Sequence, residues 1–268
     1  MDQESIRKAL RDEVALGVDK IQVLDEIDST NAELMRQLRA GFAGSCLLLA
    51  RSQSAGRGRR GRHWSSPLDG GIYLSLCWPW SADPLALQGL SLVAAISVRT
   101  VVQALGVDAV QLKWPNDLLL GKQKLAGILL EYQRGSAASH VVFGIGINLS
   151  LAPAVRENIG RPVIDLASLL GTDIDKVALV AAVVNELVVN TQRFAREGFA
   201  GFQQSWNNND RYFGQDIIVQ DGNRRMIGKS GGVDSSGALI LQSATGQELV
   251  TGGEIFPSLR ALEETSGS

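Results

Sequence analysis

Cysteine and histidine are scarce in this chain of 268 residues: two of each, Cys46, Cys77, His63 and His140. No two of them stand at a metal-ligand spacing, which argues against a structural zinc site. The cysteines fall in the apolar runs CLLLA and YLSLCW and read as buried thiols, not as a disulfide framework. An excess of positive charge is also missing. Lys and Arg number 26 against 28 Asp and Glu, a net charge of -2, so the surface as a whole is not built to track nucleic acid. Long apolar runs are absent too. VALVAAVV, Val177 to Val184, is far short of the roughly 20 residues of a membrane span. The opening residues, MDQESIRKALRDEV, hold no apolar stretch of a signal peptide. These absences predict a cytoplasmic protein with no membrane partner.

What is present is the composition of a globular protein, 45% hydrophobic and 20% charged, of one to two domains. Glycine is in surplus at 29 residues, which asks where backbone bends tightly or approaches a ligand. The patterning predicts one short helix over residues 1 to about 20, a strand at IQVLDEI, and a helix over AELMRQLRAG stopped by Gly41. Strand CLLLA follows, then a loop, RSQSAGRGRRGRHWSSPLDGG, without hydrophobic periodicity. Strand IYLSLCW, a helix over GLSLVAAISVRTVVQALG, and strands VQLKW, DLLL, LAGILLEY and VVFGIGINLS come next. Helices are predicted over KVALVAAVVNELVVNTQRFAREG and FAGFQQSWNNND. From Tyr212 the short strands DIIVQ, RMIGKS, ALILQ and ELVT alternate with turn signals, the texture of a small β-barrel. We therefore expect an α+β fold, a mixed sheet with helices largely on one face, over residues 1–210, and a β-barrel over 211–268.

Four elements carry chemistry. In Gly56-Arg57-Gly58-Arg59-Arg60-Gly61-Arg62-His63-Trp64, glycines let the backbone curl so that guanidinium groups converge on one small anion. Trp64 adds a flat face for a purine. Four arginines so close repel one another, so the loop is expected to be mobile until an anionic ligand supplies counter-charge. A solvated basic loop, or an RGG-like nucleic-acid tract, is the plainer reading. The second element, Lys113-Trp114-Pro115-Asn116-Asp117, precedes Lys122-Gln123-Lys124-Leu125-Ala126-Gly127. Pro115 breaks the strand beside a lysine, an amide and a carboxylate, and an Asp beside Lys is often a structural ion pair. Lys124 enters an apolar strand next to Gly127, whereas Lys122 lies in the turn and faces water. The third element is Gly144-Ile145-Gly146-Ile147-Asn148, where glycine in a strand can mean tight packing alone. The fourth is Asp28-Ser29-Thr30-Asn31 ahead of a helix, where simple N-capping is the plainer reading.

In this order, from about Asp25 to about Phe256, these elements resemble the biotin protein ligase family, GRGRRGR-x-W and KWPND being the most specific. The segment Gly228 to Leu241 looks like that family's SH3-like C-terminal barrel. The resemblance implies an enzyme that uses ATP and Mg²⁺ to make biotinyl-5′-AMP. It then transfers biotin to a lysine of the biotin carboxyl carrier domain of a carboxylase. It implies that Ser29, Thr30, Asn31 and Gln53 hold the biotin ureido head. Gly56, Arg57, Gly58, Arg59, Lys124 and Gly127 complete the biotin site, and Arg59, Arg60, Arg62, Trp64, Lys113, Asn116 and Asn148 surround the adenylate. Arg57, Arg59, Lys124 and Asp117 form the catalytic set, Asp117 as a base or metal contact, with no resident metal site. Some members carry an N-terminal winged helix that binds an operator. Only about 20 residues precede IQVLDEI, less than the roughly 50 such a module takes. A single-function ligase and one whose DNA-binding domain has been removed both fit, and no DNA binding is expected of the chain as it stands. A homodimer is compatible with the resemblance. Lipoate ligase shares the fold, but its Arg-Arg-x-Ser-Gly-Gly-Gly element is absent here. A nucleic-acid-binding module using the arginine loop is the reading from another class.

Overall fold

The first helical segment is split. Helix α1 (Gln3–Ala9) is capped by Asp2, and α2 (Asp12–Gly17) follows a break at Leu10 and Arg11, where a single helix was expected. The Arg11 backbone N–H donates to Asn185 Oδ1 at 3.0 Å, so a partner distant in sequence replaces the intrahelical carbonyl. The structure is a computed structural model that describes residues 1–81, 87–135, 138–244 and 246–257.

Strand β1 (Lys20–Ile27) leads to α3 (Thr30–Arg39), capped by Ser29 and followed by Gly41 at φ +98°. Then come β2 (Cys46–Gln53), β3 (Gly71–Trp80), α4 (Leu90–Ala104), β4 (Gln111–Lys113), β5 (Asp117–Leu120), β6 (Gln123–Gln133) and β7 (Ser139–Asn148). Two short helices that were not expected, α5 (Pro153–Asn158) and α6 (Leu166–Leu170), precede α7 (Lys176–Glu197) and α8 (Gln203–Asn207). With six and five residues they are too short to show a helical period.

The seven strands form one mixed sheet in the order β1-β2-β3-β7-β6-β5-β4, with β1 and β2 parallel and the remaining pairs antiparallel. Period-two alternation sorts its side chains. Leu47, Leu49, Leu74, Leu76, Phe143 and Ile145 point into the main core, which α4 and α7 complete. Helix α7 is long and apolar enough to cross a membrane by composition, but Leu179, Val180, Val183, Val184, Leu187 and Val188 are spent on this core. On the opposite face α3 covers only the β2-β3-β7 end, through Leu34, Met35 and Leu38 against Cys46, Leu48, Cys77 and Val142. Helices thus lie largely on one face, as expected, with α3 the exception. Both thiols are free, buried, and pushed above the usual thiol range by burial. The rest of that second face is left for a site.

A second, antiparallel sheet of β8 (Asp216–Asp221), β9 (Arg224–Val233), β10 (Leu239–Ser243), β11 (Gly246–Val250) and β12 (Glu254–Pro257) has the order β11-β10-β9-β8-β12. Strand β12, only four residues long, was not legible in the pattern. Residues 258–268, expected in the barrel, lie outside the described residues. The connection runs along edge strand β4: Leu112 N–H donates to Asn209 O and Arg211 N–H to Leu112 O, both at 2.8 Å. Trp114 Nε1 donates to Gly237 O at 3.2 Å, fastening the KWPND turn to the second sheet.

Candidate active site

The open part of the second face is floored by glycine. A Cβ at Gly144 would lie 2.3 Å from Asn31 Oδ1, and one at Gly146 would lie 2.4 Å from Trp64 Cε2. At Gly127 a Cβ would lie 2.9 Å from Lys124 Nζ and 3.1 Å from Trp64. Side chains from elsewhere therefore rest directly on the sheet backbone. The cleft above holds about 770 Å³ of empty space, the solvent at its open mouth included.

One end of the cleft is neutral and polar. Ser29, Thr30 and Asn31 are buried at the start of α3, and Ser29 also caps the helix, accepting from Ala32 N. Gln53 Oε1 accepts from the Thr30 backbone N–H at 2.9 Å, and Gln53 Nε2 donates to Ser66 Oγ at 2.8 Å. Ser75, on β3 and absent from the sequence-derived site, lies 2.7 Å from Thr30 Oγ1 and 2.5 Å from Asn31 Oδ1.

The other end is cationic. A bulge in β6 makes this possible: Leu118 pairs with Ala126 but Leu119 with Lys124, so Leu125 is the extra residue. Leu125 and Ala126 both enter the core, and Lys124 is turned onto the face of Gly127. Lys124 Nζ donates to Asp117 Oδ1 at 2.5 Å and lies 5.2 Å from the Trp64 ring centre. Burial pushes Lys124 below the usual lysine range, with Asp117 opposing, and burial lowers Lys113 as well. Asn116, after a cis Trp114–Pro115 bond, donates to Ile128 O at 2.6 Å and accepts from Arg59 Nη1 at 3.2 Å. Lys122 is exposed, as expected.

The arginine loop roofs the cleft. Gly56 carries no side chain because a Cβ would lie 2.3 Å from Trp64 O. Contrary to expectation, the arginines have protein partners. Arg57 meets Glu131 at 3.2 Å, Arg60 meets Asp221 at 2.7 Å, and Arg62 meets Glu254 at 2.6 Å. Arg59 reaches Asn116 and Gly253 O, and burial with neighbouring Arg60 pulls its guanidinium below the usual range. The loop was expected to lack counter-charge because these carboxylates stand 74 to 192 positions away in the chain, where no local pattern shows them.

Asn148 is placed differently from the other adenylate candidates. Its Nδ2 donates to Lys124 O and Ile164 O, both at 3.0 Å, so its amide N–H groups secure the backbone of the bulge. It also lines a second recess on the far side of Trp64, with Val155, Ile159, Arg161 and Val163. Arg161, Glu254, Tyr73 and Leu129 line the main cleft and were not singled out from the sequence. Among the described residues no group of three or more His, Cys, Asp or Glu is placed to hold a metal ion.

Comparison with known proteins agrees with this geometry. The model of the biotin/lipoate A/B protein ligase family matches residues 23–148, and that of the biotin protein ligase C-terminal domain matches residues 212–256. The chain is 37% identical over 245 residues to the bifunctional ligase/repressor BirA of Escherichia coli K12, covering 91% of this chain and 75% of that protein. It is 35% identical over 239 residues to the biotin–[acetyl-CoA-carboxylase] ligase of Paracoccus denitrificans, covering 87% and 99%. The structure of a biotin protein ligase from Aquifex aeolicus in complex with biotin and ATP matches with a TM-score of 0.75 at 27% identity, over 89% of this chain and 98% of that one. The chain belongs to the biotin protein ligase family.

Proposed function

We propose that the cleft carries out both half-reactions of a biotin protein ligase. The chain activates biotin with ATP to biotinyl-5′-AMP and transfers the biotinyl group to a protein lysine. The acceptor is the biotin carboxyl carrier domain of a carboxylase. The observation that carries this reading is the union, in one cleft, of the neutral end at Ser29, Thr30, Asn31 and Gln53 with the cationic end at Lys113, Asp117 and Lys124.

A ureido group offers two N–H donors and one carbonyl acceptor, and the hydroxyls and amides of the neutral end complement all three. The carboxylate of the bound biotin then points along the floor toward Lys124. It is ionised at neutral pH and needs no general base. The barrier lies in bringing one anion onto another, the α-phosphate of ATP. Lys124, Arg57, Arg59 and Arg62 stabilise that approach and the charge leaving as pyrophosphate, whereas Arg60, expected beside the adenylate, is turned to Asp221 and Gln220 O and does not line the cleft. Trp64, lying between the cleft and the recess of Asn148 and Ile159, covers the adenine. Mg²⁺ usually binds through one or two carboxylates plus substrate phosphates, and Asp117 and Glu254 are the cleft carboxylates that would meet it. Bound there, it supplies charge neutralisation to the phosphates. Asp117 otherwise holds Lys124 in place.

The reading of residues 1–210 as the catalytic part and of 211 onward as a barrel is supported by the two separate sheets and by the two family models. A lipoate-directed site is the alternative of the same fold. Lipoate has no ureido head with which to use the hydroxyl and amide groups of the neutral end. Titration calorimetry tests the reading. Biotin is expected to bind saturably and lipoate not. Lipoate binding as tightly as biotin would overturn the substrate assignment.

A further inference from the structure

Glu131 lies near the end of β6 on the cleft side, its side chain 20% exposed, and its two oxygens serve different elements. Oε2 accepts from Asn31 Nδ2 at 2.9 Å, at the neutral end of the cleft. Oε1 lies 3.2 Å from Arg57 Nη2, on the roof.

An ionised carboxylate only accepts, so it fixes which way the Asn31 amide faces: nitrogen toward β6, oxygen toward Ser75. An amide oxygen also only accepts. Ser75 must therefore give its single proton to Asn31, and the Thr30 hydroxyl, 2.7 Å from Ser75 Oγ and 3.2 Å from Gln53 Oε1, keeps its own proton for one of those two oxygens. Thr30 in turn keeps Gln53 through its backbone N–H. Gln53 donates to Ser66, and Ser66 Oγ lies 3.1 Å from Trp64 O, to which it donates. The orientation of the Asn31 amide and the direction of the bond it receives from Ser75 are thus set at Glu131. The chain of contacts starts on the arginine loop at Arg57 and returns to it at Trp64.

We propose that Glu131 is a positioning residue that couples the biotin pocket to the loop. It presents the Asn31 amide in one orientation to the ureido head, and it holds Arg57 so that the loop stays over the adenylate. The inference rests on the function proposed above. An ordinary half-exposed ion pair would contribute little to either.

Glu131→Gln keeps the size of the side chain but can accept at one end only, so either Asn31 or Arg57 is left facing an N–H₂ group. The expected result is a folded protein with an unchanged melting temperature that releases biotinyl-AMP about tenfold faster, the scale of one lost charge-assisted hydrogen bond. Arg57→Ala, which leaves β6 untouched, should give the same release defect. In the Arg57→Ala background, Glu131→Gln should add less than about twofold, because the Arg57 contact is already gone and the glutamine oxygen is free to accept from Asn31. Unchanged release in Glu131→Gln, or release defects of the two substitutions that simply multiply, would overturn the inference while leaving the proposed function standing. If Glu131→Gln fails to fold, Glu131→Asp, which keeps two accepting oxygens on a side chain one carbon too short to hold both Asn31 and Arg57, decides by the same criterion. A parent protein that forms no biotinyl-AMP would overturn both.

Discussion

Lys124 Nζ and Asp117 Oδ1 form an ion pair of 2.5 Å at the floor of the cleft, with side chains only 10% and 15% exposed. The pair exists because of the bulge at Leu125, which turns Lys124 away from solvent and onto the site. A lysine there offsets the repulsion between two anions most strongly at their closest approach, so its loss should lower the rate more than the affinity. Lys124→Ala is expected to slow single-turnover adenylation at least about 100-fold, the scale of removing one preorganised charge partner. Biotin affinity should change much less, and Lys122→Ala should behave as the parent. Lys124→Ala also leaves Asp117 without its partner on the wall of the open cleft, at a cost of about 1–3 kcal/mol in unfolding free energy. The double variant Lys124→Ala with Asp117→Ala should recover stability without recovering the rate. Paired urea denaturation and rapid-quench measurements separate the two effects.

Gly146→Ala tests the tryptophan cover without touching it. The new Cβ would meet Trp64 Cε2 at 2.4 Å and must displace the ring from the sheet. ATP affinity is expected to fall about tenfold to hundredfold, as for a lost base–aromatic stack, while biotin affinity falls less. Trp64→Ala should show the same selectivity. Calorimetry with each substrate separately checks it, and equal losses for both would mean Trp64 serves packing alone.

The loop is fastened to the second sheet through Arg60–Asp221 and Arg62–Glu254, both partly exposed pairs. Such pairs contribute about 0–1 kcal/mol each and weaken as salt screens them. Hydrogen exchange across Gly56 to Trp64 should therefore accelerate in Asp221→Asn with Glu254→Gln, and in the parent as salt is raised. A ligand-independent loop with no response to either change would rule out the fastening.

Asp210, at the junction with β4, is buried, has one oxygen without a partner, and is pushed up to about 6 from 3.8 by burial. Between these values the unfolded chain has lost a proton that the folded protein keeps. Stability should therefore fall as pH rises from about 4 to about 6 and level off above. Asp210→Asn removes this dependence. Relative to the parent, its unfolding free energy should rise by on the order of 2–3 kcal/mol from about pH 3.5 to about pH 7, in urea denaturation followed across that range.

Much of the site was legible because its motifs are local. Arg57 to Trp64, Lys113 to Asp117 and Ser29 to Asn31 each carry their chemistry within nine residues. The bulge at Leu125 was not, because a one-residue register shift leaves the apolar pattern of LAGILLEY intact. Ser75 was hidden for a different reason. In IYLSLCW it reads as one polar residue of an apolar strand, and its place between Thr30 and Asn31 depends on α3 crossing β3. The carboxylates that neutralise the arginine loop come from β6, β8 and β12, so only the assembled sheets reveal them. The split between α1 and α2 likewise follows from Asn185, a partner 174 positions away.

The joining of a ureido-binding end to a phosphate-binding end is tested most directly by mass spectrometry of a single turnover. The protein, in excess over biotin, is mixed with ATP and Mg²⁺ and quenched, and a carrier domain is added to a second portion before quenching. The account predicts biotinyl-5′-AMP in the first portion. In the second it predicts an added biotinyl group on one lysine of the carrier domain, with the adenylate consumed. Pyrophosphate release without biotinyl-AMP, or formation of lipoyl-AMP as fast as biotinyl-AMP, would contradict it.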